Sequence, residues 1–351
     1  MFHRFPNNEY IPYNELISLY PWEIIGYSSE ERPILSTSIG SGHRDICVWA
    51  GMHGNETTGI HIILELLHKF QLDEWPESDF KVHFIPVINP DAYIRYTRRN
   101  AIGIDLNRDF RAFQTIESAK LIGWIRAKNP ELCFNLHDQR SIYHVRGVSA
   151  FTSLLVPSSE KSQKITPIRR LLMNRLGNGL EKIENDLIGV GRYSDEYYPT
   201  AVGDYLMSIG IPNVLIESGV SSGDMSRNKA RVFGVELIQK TLLASDEPCK
   251  IYDELPINQE GQLEWVFTDV LYANMRVDVA VKRLEVLNGH VKVSTFIIDD
   301  LGDLSYRPRL FEIDGKEVVL SEALTLDCPI TADFGSVIFE DGKQILGDII
   351  K

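Results

Sequence analysis

The chain has 351 residues, 44% hydrophobic and 24% charged, an ordinary globular balance that allows one large domain or two unequal ones. Its formal charge of −13 argues against a nucleic-acid partner, which would call for a basic face. No run approaches the roughly 20 apolar residues of a membrane span, and the N-terminal stretch holds no secretory apolar core, so a cytoplasmic location without a membrane partner is expected.

In chain order, residues 1–30 read as a helical lead-in with aromatics. A strand-like run from Pro33 to Ile39 follows, ending in Gly40-Ser41-Gly42. Asp45 to Ala50 is a continuous apolar run of the kind that forms a strand buried on both faces. Ile60, Ile63, Leu64 and Leu67 recur at helical spacing and predict a helix over 57–70. Lys81 to Ile88 predicts another strand, closed by Asn89-Pro90-Asp91. Next come an amphipathic helix at 115–128, a strand at 132–136 and helices at 163–186 and 202–209. A strand at 212–216 ends in Glu217, and a last long helix covers 227–244. This alternation predicts an α/β fold, a mixed, mostly parallel sheet with helices on both faces. Ligands then gather beyond the carboxyl ends of the strands.

The texture changes near residue 250. Asp246-Glu247-Pro248 and Pro256-Ile257-Asn258 read as a linker, and turn pairs punctuate the β-type runs beyond it. These are Asn288-Gly289, Asp300-Leu301-Gly302, Asp314-Gly315 and Asp341-Gly342, all hairpin cues. The expected organisation is a catalytic domain over 1–250 and a small all-β domain over 255–351. Cys47, Cys133, Cys249 and Cys328 form no CxxC pair, and the first two lie in apolar runs, so buried thiols are expected.

The residues able to do chemistry cluster at the predicted strand ends. His53 and Glu56 stand three apart in Gly51-Met52-His53-Gly54-Asn55-Glu56, so imidazole and carboxylate can face one point. Alone, that pair fits a helix cap as well as a metal site. His137, after Phe134-Asn135-Leu136, completes a His/Glu/His set that suits one Zn²⁺ with an open position for water, although by itself it fits a structural histidine. Glu217 terminates a buried strand, where a carboxylate is costly without a partner or a task. It could move a proton between water and a leaving amine, or simply pair with a lysine. The segment Arg98 to Phe110 gathers guanidinium and amide donors suited to a carboxylate and an oxyanion, and Asp105 could orient a ligating histidine.

The order HxxE, DxNR, strand-end His, strand-end Glu resembles the zinc carboxypeptidase superfamily (M14, or funnelin type). That superfamily includes peptidoglycan-peptide amidases and the succinylglutamate desuccinylase and aspartoacylase branch. The strings MHGNE, GIDLNRDF and FNLHDQ are similar to bacterial M14-type peptidases, over about residues 30–240. The resemblance implies His53, Glu56 and His137 as zinc ligands, Glu217 as general base and acid, and Asp105 as the carboxylate behind a ligand. It implies Arg98 as the group that polarises the scissile carbonyl, with Arg95 and Arg99 as contenders, and Asn107 and Arg108 as the grip on the substrate carboxylate. Tyr197 is the better placed of two tyrosines for a substrate-facing role, and Gly203 would line the specificity pocket. Asp109 departs from the pattern by adding a negative charge, and the two histidines are only 84 residues apart (53 to 137), which implies shortened cleft loops.

The expected function is therefore a zinc metallocarboxypeptidase-like hydrolase cutting an amide beside a free carboxylate, with a peptide or acyl-amino-acid substrate. Deacylation of an N-acyl amino acid, peptidoglycan-peptide amidase action and a catalytically silent binding module are the alternatives.

Overall fold

A computed structural model describes residues 8–75, 79–183, 187–289, 291–320, 326–327, 336–340 and 343–347. Cys328 and the Asp341-Gly342 turn lie outside the described residues, as do residues 1–7 of the lead-in.

The first unit runs α1 (Tyr13–Leu19), β1 (Glu23–Tyr27), β2 (Pro33–Ile39), β3 (Arg44–Trp49), α2 (Thr58–Gln71), β4 (Phe80–Ile85), α3 (Pro90–Arg95), α4 (Ile116–Lys128) and β5 (Leu132–Asp138). It continues with β6 (Tyr143–Val145), β7 (Val148–Ser149), β8 (Thr152–Leu155), α5 (Pro167–Glu181), β9 (Val190–Arg192), α6 (Val202–Ser208), β10 (Asn213–Ser218), α7 (Asn228–Leu242) and α8 (Ile251–Glu254). Eight of these strands form one mixed sheet in the order β1-β2-β4-β3-β5-β10-β8-β9. Its centre, β4-β3-β5-β10, is parallel.

The run from Ile46 to Trp49 explains that centre. Ile46 and Val48 face a core shared with α2, α5 and α7, whereas Cys47 and Trp49 face a second core shared with α4 and α6. All four are fully buried, and each large apolar side chain so placed contributes about 1.5–3 kcal/mol relative to exposure. The helices on both faces follow from this two-sided apolarity. Cys47 and Cys133 pair side by side in β3 and β5 as buried free thiols.

Several elements differ from expectation. The lead-in contains a strand, β1, which pairs antiparallel with β2. The helix expected over 163–186 begins only at Pro167, because Thr166 caps it through Arg169 N and proline suits the first turn. Asn89-Pro90-Asp91 opens α3 instead of closing a strand, with the Asn89 side chain accepting from Ala92 N.

The C-terminal unit comprises β11 (Gln259–Glu260), β12 (Leu263–Tyr272), β13 (Met275–Asn288), β14 (Val291–Gly302), β15 (Arg309–Asp314), β16 (Val319–Leu320), β17 (Ser336–Glu340) and β18 (Lys343–Gly347). Trp265, Phe267, Val279, Val281 and Ile298 form its core. β13 passes into β14 at the expected place: Asn288 pairs with Val291, and Gly289 follows it at φ 64°. Asp300-Leu301-Gly302, expected as a turn, stays paired inside β14 opposite Ala280, Val279 and Asp278. Asp314-Gly315 makes no hairpin either, since the following β16 joins β12 in parallel. The first hairpin instead turns at Ala273-Asn274, both at positive φ (49° and 61°), the conformation a tight twisted hairpin requires.

The expected linker is not free. Pro256 O accepts from Arg192 N (2.7 Å), Asn258 N donates to Arg192 O (2.8 Å), and β11 pairs with β6. Gly261 N and Gln262 N both reach Ile142 O at 3.0 Å. Residues 256–262 are thus stitched to the first unit beside the end of β9.

Candidate active site

The loop after β3 is clamped against the loop after β4. Ile88 N donates to Ala50 O (3.1 Å), Asn89 N to Gly51 O (3.0 Å) and Asn89 Nδ2 to Met52 O (3.1 Å). Gly51 adopts φ +62°, and a Cβ on Gly54 would come within 2.0 Å of the Ala92 backbone, so both glycines are needed for this approach. Glu56 N donates to His53 O at 3.2 Å, closing a turn that aims both side chains at one point.

His137 and Glu217 reach that point from the neighbouring strands. They are the penultimate residues of β5 and β10, lying side by side in parallel register. His53 Nδ1 is 2.7 Å from Glu56 Oε1, and His137 Nδ1 is 2.7 Å from Glu56 Oε2. One ligand atom from each of the three lies within 4.8 Å of the other two. Two imidazole nitrogens and a carboxylate converging in this way are a donor set suited to zinc. The His53 ring is fixed from behind by Asp105 Oδ1, 3.0 Å from Nε2, as metal-bound histidines usually are. Burial would lower the His53 pKa, but the Glu56 charge and hydrogen bonds to Asp105 and Glu56 outweigh it and raise it to about 9. The residues therefore fit a zinc ion.

The Glu217 side chain has no hydrogen bond or ion pair among the described residues. Burial first, then the Glu56 charge, pushes its carboxyl up, while His53 and Arg98 oppose the shift. A carboxyl so placed can hold or release a proton near neutrality.

The geometry separates the three arginines. Arg98 Nη1 lies 3.3 Å from both Glu56 Oε1 and His53 Nδ1, and its Nε donates to Asp105 Oδ2 at 3.0 Å. Arg95 turns away to Glu30 (2.6 Å), and Arg99 to Gly103 O (3.1 Å). Asn107 Oδ1 accepts from Val202 N at 2.9 Å, which leaves its NH₂ as the free donor. The Arg108 guanidinium stacks 4.1 Å over the ring of Tyr198, so Tyr198 and not Tyr197 is the tyrosine joined to this pair.

Two expectations need correction. Asp109 adds no charge to the cleft. It is buried and accepts from Gln114 N (2.9 Å), Thr115 N and Oγ1 (2.8 Å each) and Ser118 Oγ (2.5 Å), anchoring the start of α4. Gly203 does not open a pocket, because the space its Cβ would enter is filled by Pro157 and the Asn213 amide.

Other residues near the site carried no motif. Tyr143 and Tyr193 touch through their hydroxyls at 2.9 Å, and Glu260 of β11 accepts from Tyr143 at 3.0 Å and faces Arg140 Nη2 at 3.3 Å. Tyr96, two residues before Arg98, donates to Glu285 of β13 at 3.2 Å. One usable signal was present: Arg146-Gly147, both at positive φ, turns the hairpin that carries Tyr143.

Residues 14–140 match the family model of the zinc carboxypeptidases, peptidase M14. Over that stretch, about a third of its length, the chain is similar to the zinc carboxypeptidases. The matched stretch includes His53, Glu56 and His137 and stops short of Glu217. Among solved structures, the metallo-carboxypeptidase from Burkholderia cenocepacia is similar at 16% identity and TM-score 0.51, over 66% of this chain and 67% of that one. Carboxypeptidase A from Helicoverpa armigera is 16% identical at TM-score 0.52, over 70% and 77%. The Pseudomonas aeruginosa metallo-carboxypeptidase, solved with (2-guanidinoethylmercapto)succinic acid, is 17% identical at TM-score 0.51, with 66% of each chain covered. The chain thus spans about two thirds of the length of the two bacterial proteins. A search of curated proteins returned no match. No helix among the described residues is long and apolar enough to cross a membrane.

Proposed function

We propose that this chain is a zinc-dependent carboxypeptidase-like hydrolase that cleaves an amide bond next to a free carboxylate. The observation that carries the reading is the convergence of His53, Glu56 and His137 on one point, with Glu217 alongside on the adjacent strand. Bound by those three residues, zinc supplies Lewis acidity toward water and a carbonyl. Glu217 takes the proton from the attacking water and passes it to the departing amine as the C–N bond breaks. Arg98, free on its outer side, donates to the carbonyl oxygen as charge develops there. Asn107 and Arg108 hold the substrate carboxylate through the amide NH₂ and the guanidinium, and so select a chain end or a small acyl-amino acid.

Glu217→Gln tests the reading. Turnover of a peptide with a free C-terminus should fall by about 10²–10⁴-fold, with zinc content unchanged by metal analysis. Near-wild-type turnover in that variant would sink the assignment.

A second reading, deacylation of an N-acyl amino acid, draws support from Glu260 and Glu285. Both hydrogen-bond the C-terminal unit to tyrosines near the site, Tyr143 and Tyr96. A panel of acyl-amino acids and peptides of increasing length separates the two.

A further inference from the structure

Away from the proposed zinc ligands, the large sheet brings together a second set of side chains with the geometry of a nucleophile and its base. Ser38 of β2 pairs laterally with His83 of β4, and His83 with Cys47 of β3. Paired residues share a face of the sheet, as do residues two apart on a strand, so Asp45 joins Ser38 and His83 on one face. The contacts agree. Ser38 Oγ is 2.7 Å from His83 Nδ1, and Asp45 Oδ1 is 2.6 Å from His83 Nε2. Trp124 of α4 packs edge-on against the imidazole, with ring centres 6.3 Å apart. Asp45 lies at the amino end of β3 and His53 beyond its carboxyl end, so the two sets occupy opposite ends of one strand.

Proton direction fixes the roles. A carboxylate only accepts, so the single proton of a neutral His83 sits on Nε2, toward Asp45. Nδ1 then carries a lone pair, and the Ser38 hydroxyl donates to it. Burial holds the His83 pKa below its usual value against the Asp45 contact, and the Lys128 and Lys81 charges add to the drop, so the ring is a neutral base near neutrality. A hydroxyl, a base within hydrogen-bond reach and a carboxylate that orients the base are the parts of an activated serine. The ring nitrogens exchange the places they hold in serine proteases, yet either one takes a proton. The imidazole is buried, whereas Ser38 is exposed. β1 begins at Glu23, opposite Ser36, so among the described residues no strand covers the outer edge of β2 beside Ser38.

We propose that Ser38 and His83, oriented by Asp45, form a second catalytic site that needs no metal and transfers the acyl group of small carboxylic esters to Ser38. An open site offers little binding energy, which suits an ester, whose alcohol leaves more readily than an amine. Ser38 Oγ bonds to the ester carbonyl carbon while its proton moves to His83 Nδ1. The carbon–oxygen bond to the alcohol then breaks, and the alcohol departs with that proton. Water attacks the acyl-serine by the same route, its proton returning through Nδ1 to Ser38 Oγ as the carboxylic acid is released. The site is independent of the zinc reading above.

The test uses p-nitrophenyl acetate and the full-length, zinc-loaded chain, with and without a chelator. A burst of about one equivalent of p-nitrophenolate per chain is expected in both, with the acetyl group located on Ser38 by peptide mass analysis. Ser38→Ala removes an exposed hydroxyl and should abolish the burst. His83→Gln should slow it by about 10²–10⁴-fold. Asp45→Asn should slow it too and move the midpoint of its pH profile down, because the Asp45 contact raises the His83 pKa. That variant, at a half-buried position, carries the test of the base if His83→Gln folds poorly. An undiminished burst in Ser38→Ala, acetyl groups spread over lysines, or a burst lost with the chelator overturns the assignment.

Discussion

Asp105 Oδ1 lies 3.0 Å from His53 Nε2, on the side of the ring away from Glu56. The same carboxylate accepts from Arg98 Nε and Asn107 N, each at 3.0 Å, so one side chain sets the tautomer of the histidine proposed to bind zinc and the position of two residues proposed to face the substrate. Asp105→Ala is expected to weaken zinc binding 10- to 100-fold, measured by competition with a chromogenic chelator. Asp105→Asn keeps an acceptor and should lose less. Unchanged affinity in the alanine variant would remove Asp105 from this role.

Arg98 is the one arginine of the three aimed at Glu56 and His53. Arg98→Ala should reduce kcat/KM on a C-terminally free peptide by about 10²–10³-fold. Arg95→Ala and Arg99→Ala should stay within a few-fold of wild type, because their partners, Glu30 and Gly103, lie outside the cleft. Comparable losses in all three would show that side-chain direction was the wrong guide.

Asp109 anchors a helix start through buried hydrogen bonds to a charged acceptor. Asp109→Ala strands several donors and should cost about 2–4 kcal/mol of stability, read from urea denaturation. Activity at low temperature should survive better than stability does, since Asp109 does not face the substrate.

His61 makes stability fall in acid. Burial, reinforced by the Arg231 and Lys292 charges, holds its pKa at about 4 against the pull of the Glu9 carbonyl, which accepts from Nε2 at 2.8 Å. The unfolded chain, with an ordinary histidine pKa of 6.5, takes up the proton first. The contribution is therefore complete above pH 6.5 and is lost as pH falls toward 4, amounting to about 3 kcal/mol. His61→Gln, a donor that does not titrate, should flatten that part of the stability profile. A parallel profile would show that other groups dominate the acid limb.

How legible these features were depended on which physical rule fixed them. Ile46 to Ala50 was readable because a strand buried on both faces must be apolar throughout, and HxxE because its geometry is local. The position of Asp109 was not readable, since a carboxylate after Asn107-Arg108 looks the same whether it faces substrate or caps α4. Gly203 misled for a related reason: a missing side chain marks an open pocket and a tight contact alike. Asp300 to Gly302 carries turn chemistry, yet cross-strand pairing with β13 outweighed it. Tyr193 carried no motif because its partners are distant in sequence: Tyr143 directly and, through it, Glu260, 67 residues away (193 to 260).

The strap from Pro256 to Gln262 has a bearing on the order of synthesis. The wall that holds Tyr143 and Tyr193 in place borrows its outer layer from a part of the chain made after every residue of the large sheet. A ribosome that has released only the first 250 residues has delivered the histidines and Glu217, but not the segment that orients the neighbouring hydroxyls. Competence would then arrive late and abruptly, over the last dozen residues before β12, and a protein cut there would be left with a loose flank on the cleft.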